Sequence, residues 1–376
     1  MLKIMTPGPT QVRENVRAAR ALPTTNPDLD LSFYDEYRDV CRDLAQFFHT
    51  ENEFFLLSGE GILGLEAACA SLIEPGDRVL VIDNGIFGRG FADFVKIYGG
   101  EPVLYSVDPQ NPVDPDALTA FLERDHAFRA ATLVHCDTPS GMLNDVETLS
   151  PLLKRYGILT IVDSVSASFG TPLDVSRAQI DILCGGSQKA LSAPIGLTFL
   201  GVSADAFARM DARRKPIASF YLSILSYRDY YAKKWFPYSM PISDIYGFRA
   251  ALQNVLDDPE IFARHARIAR ACREALTQGG LSLYLRAGFS PTVTVFDVPA
   301  GLTDTAILQK VAEQGVMLAG CFDTLAGRVI RIGHMGENAN IEDMRLTMRA
   351  LHNALTALGK PPCCNLEAAF LHALEA

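Results

Sequence analysis

The stretch "IDILCGGSQKALSAP", residues 180–194, runs from an apolar segment with the character of a buried strand, through two glycines, to one lysine among small and apolar neighbours. An ammonium in such surroundings is costly unless it is paired or loses its proton. Lys189 therefore asks for a chemical reason. Working outward, the same strand character recurs in "VLVID" (79–83), "ATLVHCD" (131–137), "LTIVDSVS" (159–166) and "LTFLGVS" (197–203). Helical patterns fall between them. In "ETLSPLLKRYG" (147–157), for example, Lys154 and Arg155 occupy the last turn and Gly157 the C-cap position. Near-continuous apolar strands alternating with helices predict an α/β fold, a mostly parallel central sheet with helices on both faces.

The remainder of the chain bounds the possibilities. Its 376 residues divide by pattern into an N-terminal arm (1–18), a large α/β domain (19–245) and a smaller C-terminal α+β domain (246–376) with strands "TVTVFDV" (292–298) and "GRVIRIG" (327–333). Segment 204–245 is rich in aromatic and basic residues and reads either as an interface or active-site segment or as a plain surface excursion. A net charge of −10, with no basic face or tail, argues against a nucleic-acid partner. Eight scattered cysteines without a Cys-x-x-Cys pair predict reduced thiols and no metal site. The opening "MLKIMTPGPT" lacks the apolar core of a signal peptide, and no run is long enough to span a bilayer, so a cytoplasmic protein with no membrane partner is expected.

In open α/β sheets the ligand crevice lies beyond the carboxyl ends of the strands. Thr138 follows Asp137 after "TLVHC", Asp163 follows "LTIV", and Gln188 and Lys189 follow "IDILCGGS", so the topology gathers them. Desolvation lowers a lysine pKa and yields the free amine that attacks aldehydes, which is Schiff-base chemistry. A pyridoxal cofactor needs that lysine together with an acid at its ring nitrogen, a role that suits Asp163. Its 5′ substituent needs an anchor, and the turn Ser58-Gly59-Glu60-Gly61 opening the helical pattern "ILGLEAACASLI" has the form of an anion-binding helix start.

With these residues in place, the chain resembles the class V aminotransferases of the fold-type I pyridoxal-phosphate enzymes, in the alanine/serine–glyoxylate and pyruvate branch. The likeness runs in order from "TPGPTQV" (6–12) through "SGEG", "NGIFGRGF", "DTPSGMLND", "VDSVSA", "GSQKAL" and "APIGLTFL" to "RIGHMG" (331–336). The resemblance implies ping-pong transfer of an amino group from a small donor to a small 2-oxo acid, pyruvate or glyoxylate. By position, Lys189 would form the Schiff base and shuttle the proton, and Asp163 would pair with the pyridine nitrogen. Val165 would lie beneath the ring and Phe87 above it, Thr138 near the phenolic oxygen, and Gln188 beside the cofactor. Arg331 would clamp the substrate carboxylate with a bidentate fork, and Gly8 would line the substrate pocket. The family also implies a homodimer, or a tetramer, with shared sites. In "WFPYSMP" (235–241), Ser239 and either Phe236 or Tyr238 would reach the neighbouring cofactor.

Glu60 departs from the family, whose turn carries a hydroxyl facing the phosphate. A carboxylate about 5 Å from a phosphate costs roughly 3 kcal/mol per charge at an effective dielectric of about 20. Either Glu60 turns to solvent and complements the helix dipole, with pyridoxal 5′-phosphate bound, or it accepts a hydrogen bond from the free 5′-hydroxyl of unphosphorylated pyridoxal or pyridoxamine. The second arrangement resembles the pyridoxamine–pyruvate branch, although the second arginine expected shortly before the clamp is replaced by Cys321, with Arg328 nearby. Another class also fits the fold, a cysteine desulfurase-like lyase with Cys321 as the sulfur acceptor. A pyridoxal-binding regulator would need a DNA-binding domain for which this chain has no spare residues.

Overall fold

The computed structural model describes residues 2–375. Seven strands form the main sheet: β1 (Glu53–Ser58), β2 (Arg78–Asp83), β3 (Glu101–Ser106), β4 (Ala130–Val134), β5 (Leu159–Asp163), β6 (Ile182–Gly186) and β7 (Leu197–Val202). Their order across the sheet is β1-β7-β6-β5-β4-β2-β3. All neighbours from β6 to β3 pair in parallel, whereas β7 runs antiparallel to both β6 and β1. The central strands β4, β5, β6 and β7 are buried almost throughout, as their unbroken apolar runs require, and each fully buried Val, Ile or Leu side chain contributes about 1.5–3 kcal/mol. Edge strand β3 is half-exposed and carries Pro102, a residue tolerated where no ladder partner is needed.

Helices Gly61–Leu72, Ile86–Ile97 and Val146–Arg155 follow β1, β2 and the end of β4. In the last of these, Asp145 accepts from Thr148 N at 3.1 Å at the start, and Gly157 (φ +72°) lies just beyond the end, as the pattern predicts. A second core lies among helices Ile261–Gln278, Asp304–Glu313, Ile341–Ala357 and Leu366–Glu375 and an antiparallel pair, β8 (Val293–Asp297) and β9 (Val329–Gly333). Residue 246 lies inside helix Ile242–Leu256, whose Phe248 and Leu252 belong to the first core, while the second core takes in Met5 from the arm and Ile268. No described helix is long and apolar enough to cross a membrane. All eight cysteines are free, and Cys41, Cys69, Cys136, Cys184 and Cys272 are buried.

Candidate active site

The carboxyl ends of β4, β5 and β6 converge with the start of helix Gly61–Leu72 on a cavity of about 280 Å³. Lys189 reaches it three residues beyond β6, and its Nζ donates to the carbonyl of Pro7 at 2.7 Å. Burial, aided by the positive charge of Arg331, lowers the amine from its ordinary 10.5 to about 8. At pH 7 this leaves about a tenth of the amine unprotonated, against less than about a thousandth at the ordinary value. The N-terminal arm forms one wall of the cavity. Gly8 adopts φ +94° there, and a Cβ on it would fall 2.4 Å from Lys189 Cδ, so only glycine lets the arm lie on the lysine.

Asp163, at the end of β5, is buried, and its Oδ1 accepts from Val165 N at 2.9 Å. Burial raises its carboxyl to about 7, against the pull of that N–H and of Lys189. Such a carboxyl gains most from a cationic N–H partner, and the ring nitrogen of vitamin B6 supplies one. Val165 is pressed against Gly61, where a Cβ would stand 2.7 Å from Val165 Cγ2, making a flat apolar floor. Phe87 lies on the first turn of helix Ile86–Ile97. Its backbone N–H donates to Asp137 Oδ1 at 2.9 Å, and its ring meets that of Phe322 edge to face at 6.0 Å. Thr138 is buried and its hydroxyl meets that of Ser166. This set of donors and apolar faces fits a B6 ring.

At the other end of the cavity Glu60 is half-buried and faces inward rather than to solvent. It is the N-cap of helix Gly61–Leu72: Oε1 accepts from Ile62 N at 3.2 Å and Oε2 from Gln188 Nε2 at 3.0 Å. The Glu60 carboxylate thus turns the Gln188 amide, leaving Gln188 Oε1 buried and without a partner. Ser58 and Gly59 shape the turn without lining the cavity, and Gly59 N donates to Gly196 O at 2.8 Å. Among the described residues that line the cavity, Lys189 is the only cation, against two carboxylates, Glu60 and Asp163.

Arg331 projects from β9 and its Nε donates to Gly320 O at 2.7 Å, which leaves the two terminal nitrogens for a ligand; its guanidinium lies 5.7 Å from the Phe322 ring centre. It does not line the cavity itself, yet its charge acts on Lys189. Ser239 lies elsewhere, its hydroxyl donating to Asp28 Oδ2 at 2.7 Å. Phe236 is buried and stacked on Tyr34 at 4.7 Å, whereas Tyr238 is half-buried and stacked on Tyr221 at 4.4 Å. Burial raises the Cys321 thiol above its ordinary range, the opposite of what a reactive thiolate needs, and its Sγ lies 3.7 Å from Pro139 O. Arg328 does not line the cavity, and one of its terminal nitrogens donates to Thr324 O at 3.2 Å. Sequence reasoning did not single out Pro7, Ser166, Ile62, Ile195 or Phe322. Of these, only Ser166 carried a signal, two residues beyond Val165's neighbour Ser164 in the same polar strand-end motif.

Comparison with known proteins agrees with this geometry. The family described as aminotransferase class V matches residues 13–321. Pyridoxamine–pyruvate transaminase of Mesorhizobium japonicum is 34% identical over 89% of this chain and 86% of its own length. Alanine–glyoxylate aminotransferase of Callithrix jacchus is 30% identical over 94% of this chain and 87% of its own. Among solved structures, pyridoxamine–pyruvate aminotransferase from Mesorhizobium loti superposes with a TM-score of 0.94 at 31% identity, covering 99% of this chain and 96% of that one.

Proposed function

Because this chain belongs to the class V aminotransferase family, we propose that it moves the amino group of unphosphorylated pyridoxamine onto a small 2-oxo acid, pyruvate or glyoxylate. The observation that carries this choice of donor is the carboxylate of Glu60 seated on the N-terminal amide of helix Gly61–Leu72 and tied to Gln188. That helix end is where a phosphate would seek free N–H groups and positive potential. Here an anion already occupies that potential and takes the Ile62 N–H, and among the described residues no arginine lines the cavity to offset a dianion. Two acceptors, Glu60 and Gln188 Oε1, favour a hydroxyl that can donate. The 34% identical pyridoxamine–pyruvate transaminase supports the same reading.

A B6 vitamer supplies a carbon able to exchange its amino group and a ring that accepts electron density when its nitrogen is protonated. The protein's residues supply the rest. Asp163 keeps the proton on the ring nitrogen. Val165 and Phe87 hold the ring flat between apolar faces, and Thr138 donates at its polar edge. Lys189, its amine lowered to about 8, alternately takes up and returns the proton that must move between donor and acceptor carbons. Arg331 grips the carboxylate of the oxo acid through its two terminal nitrogens and so orients the carbon to be aminated. The arm over Lys189 keeps water from the exchanging carbon. The exposed rings of Phe220, Tyr221 and Trp235 support a homodimer in which the 204–245 segment, with Ser239 and Tyr238, meets the neighbouring site.

Protein purified without added vitamin, analysed for phosphorus, and assayed with pyridoxamine, alanine and serine against pyruvate and glyoxylate tests the proposal. Turnover is expected with pyridoxamine and without bound phosphorus. Stoichiometric phosphorus retained in the cavity, with turnover only of amino acids, overturns the choice of donor and leaves the aminotransferase assignment standing.

A further inference from the structure

The N-terminal arm does more than cover the cavity, because its hydrogen bonds join the strand that carries Arg331 to the loop that carries Lys189. At one end, Lys3 and Ile4 pair in parallel with Val316 and Met317, and Gly333 N, two residues from Arg331, donates to Met5 O at 2.8 Å. At the other end, Thr10 N donates to Gln188 O at 3.1 Å. Between them, Pro7 O receives the Lys189 amine.

Thr10 and Ser192, both buried, close this junction with their hydroxyls. Thr10 Oγ1 lies 3.0 Å from the carbonyl of Lys189 and 3.0 Å from Ser192 Oγ, and Ser192 Oγ receives Glu337 N–H at 2.8 Å. The direction follows from the donor inventory. A carbonyl only accepts, so the single Thr10 proton goes to Lys189 O, and the Thr10–Ser192 contact must use the Ser192 proton. The result is a one-way relay: Glu337 N–H to Ser192, Ser192 to Thr10, Thr10 to the Lys189 carbonyl. In such a chain each bond polarises the next. Ser192 holds φ +56° at this crossing, a conformation in which few side chains sit without strain.

We propose that Thr10 and Ser192 are positioning residues for the Lys189 amine, locking the arm to the lysine loop so that the Pro7 carbonyl and the Gly8 backbone hold the amine in an enclosed, oriented state. Neither residue touches the reacting atoms. The proposal rests on Lys189 being the reacting amine, and it is independent of which B6 vitamer is used.

The test follows the reactivity of Lys189 in vitamin-free protein, using an amine-modifying reagent and peptide mapping across pH, alongside kcat and KM. Thr10→Val keeps the shape and removes the relay, while Thr10→Ser keeps the hydroxyl. Ser192→Gly suits the positive φ and removes the hydroxyl without strain. In Thr10→Val and Ser192→Gly a loosened arm admits water, so the pH midpoint of Lys189 modification should rise from about 8 toward the ordinary 10.5. With it, kcat should fall between about tenfold and a hundredfold, while KM for the oxo acid changes less than about threefold. Thr10→Ser should restore both. Wild-type midpoints in both deletions, or failure of Thr10→Ser to restore the midpoint, overturn the proposal. Should Thr10→Val not fold, Ser192→Gly and Thr10→Ser give the same readouts. An active Lys189→Ala protein would instead remove the underlying assignment.

Discussion

Replacing Glu60 by serine should convert the preference of this site from a free vitamin toward its phosphate. In the structure the Glu60 carboxylate occupies the start of helix Gly61–Leu72, so a 5′-phosphate directed to the same N–H groups would come within about 5 Å of it. Two unit charges at that separation repel by roughly 3 kcal/mol at an effective dielectric of about 20, and by about 0.8 kcal/mol in bulk water. Glu60 is half-buried, which puts the repulsion between these limits, about 1–2 kcal/mol per phosphate charge and about twice that for a dianion. Serine removes the charge, remains a good N-cap so that the helix start survives, and frees the Gln188 amide to donate. The ratio of kcat/KM for pyridoxamine 5′-phosphate over pyridoxamine should therefore rise by a factor of about 30 to 1,000. The assay is pyruvate-dependent conversion of each vitamer, followed by aldehyde absorbance. An unchanged ratio, or a wild-type protein that already prefers the phosphate, would refute the electrostatic reasoning.

The lysine amine must be neutral to react, so capture of pyridoxal by the wild-type protein should speed up about tenfold per pH unit below pH 8 and level off above it; stopped-flow absorbance would reveal a midpoint near 10.5 if burial does not act as described. Asp163→Asn should lower kcat at least about a hundredfold while stabilising the vitamin-free fold. Its folded pKa of about 7 lies above the ordinary 3.8, so the protonated group supports the fold at low pH and this support is lost as pH rises to about 7. The gain in chemical-denaturation stability should be a few kcal/mol at pH 8 and vanish near pH 4, and an equal effect at both values would contradict it. Arg331→Lys cannot reproduce the fork and should raise KM for pyruvate about 10- to 100-fold while the half-reaction with the amino donor is little affected; equal losses in both half-reactions would place the arginine elsewhere in the chemistry. Cys321→Ser should retain turnover within about twofold, since the thiol is held protonated beside Pro139, and loss of activity would revive the sulfur-transfer reading.

The central strands were readable because full burial on both faces writes them as unbroken apolar runs. Glu53–Ser58 and Glu101–Ser106 were harder: the first is short and fused to the Gly-rich turn, and the second is an edge strand with alternating exposure and a proline. The antiparallel sense of β7 leaves no mark in its composition. Its only trace is the connection 187–196, too short for the crossover that a parallel neighbour of β6 would require. At the site, Asp163 and Lys189 could be named because strand ends collect polar residues. The pairing of Gln188 with Glu60, 128 positions apart, and of Lys189 with the Pro7 carbonyl could not. One depends on how two loops meet, and the other on a backbone atom that carries no residue identity.

The anchoring of the first residues to Val316, Met317 and Asn338 also bears on how the chain matures at the ribosome. Pairings of such long sequence separation form late, after most of the polypeptide has been made. Until those partners are made, the arm can meet the lysine loop only through Pro7 and Thr10, so its full hold on the amine is among the last features of the fold to form.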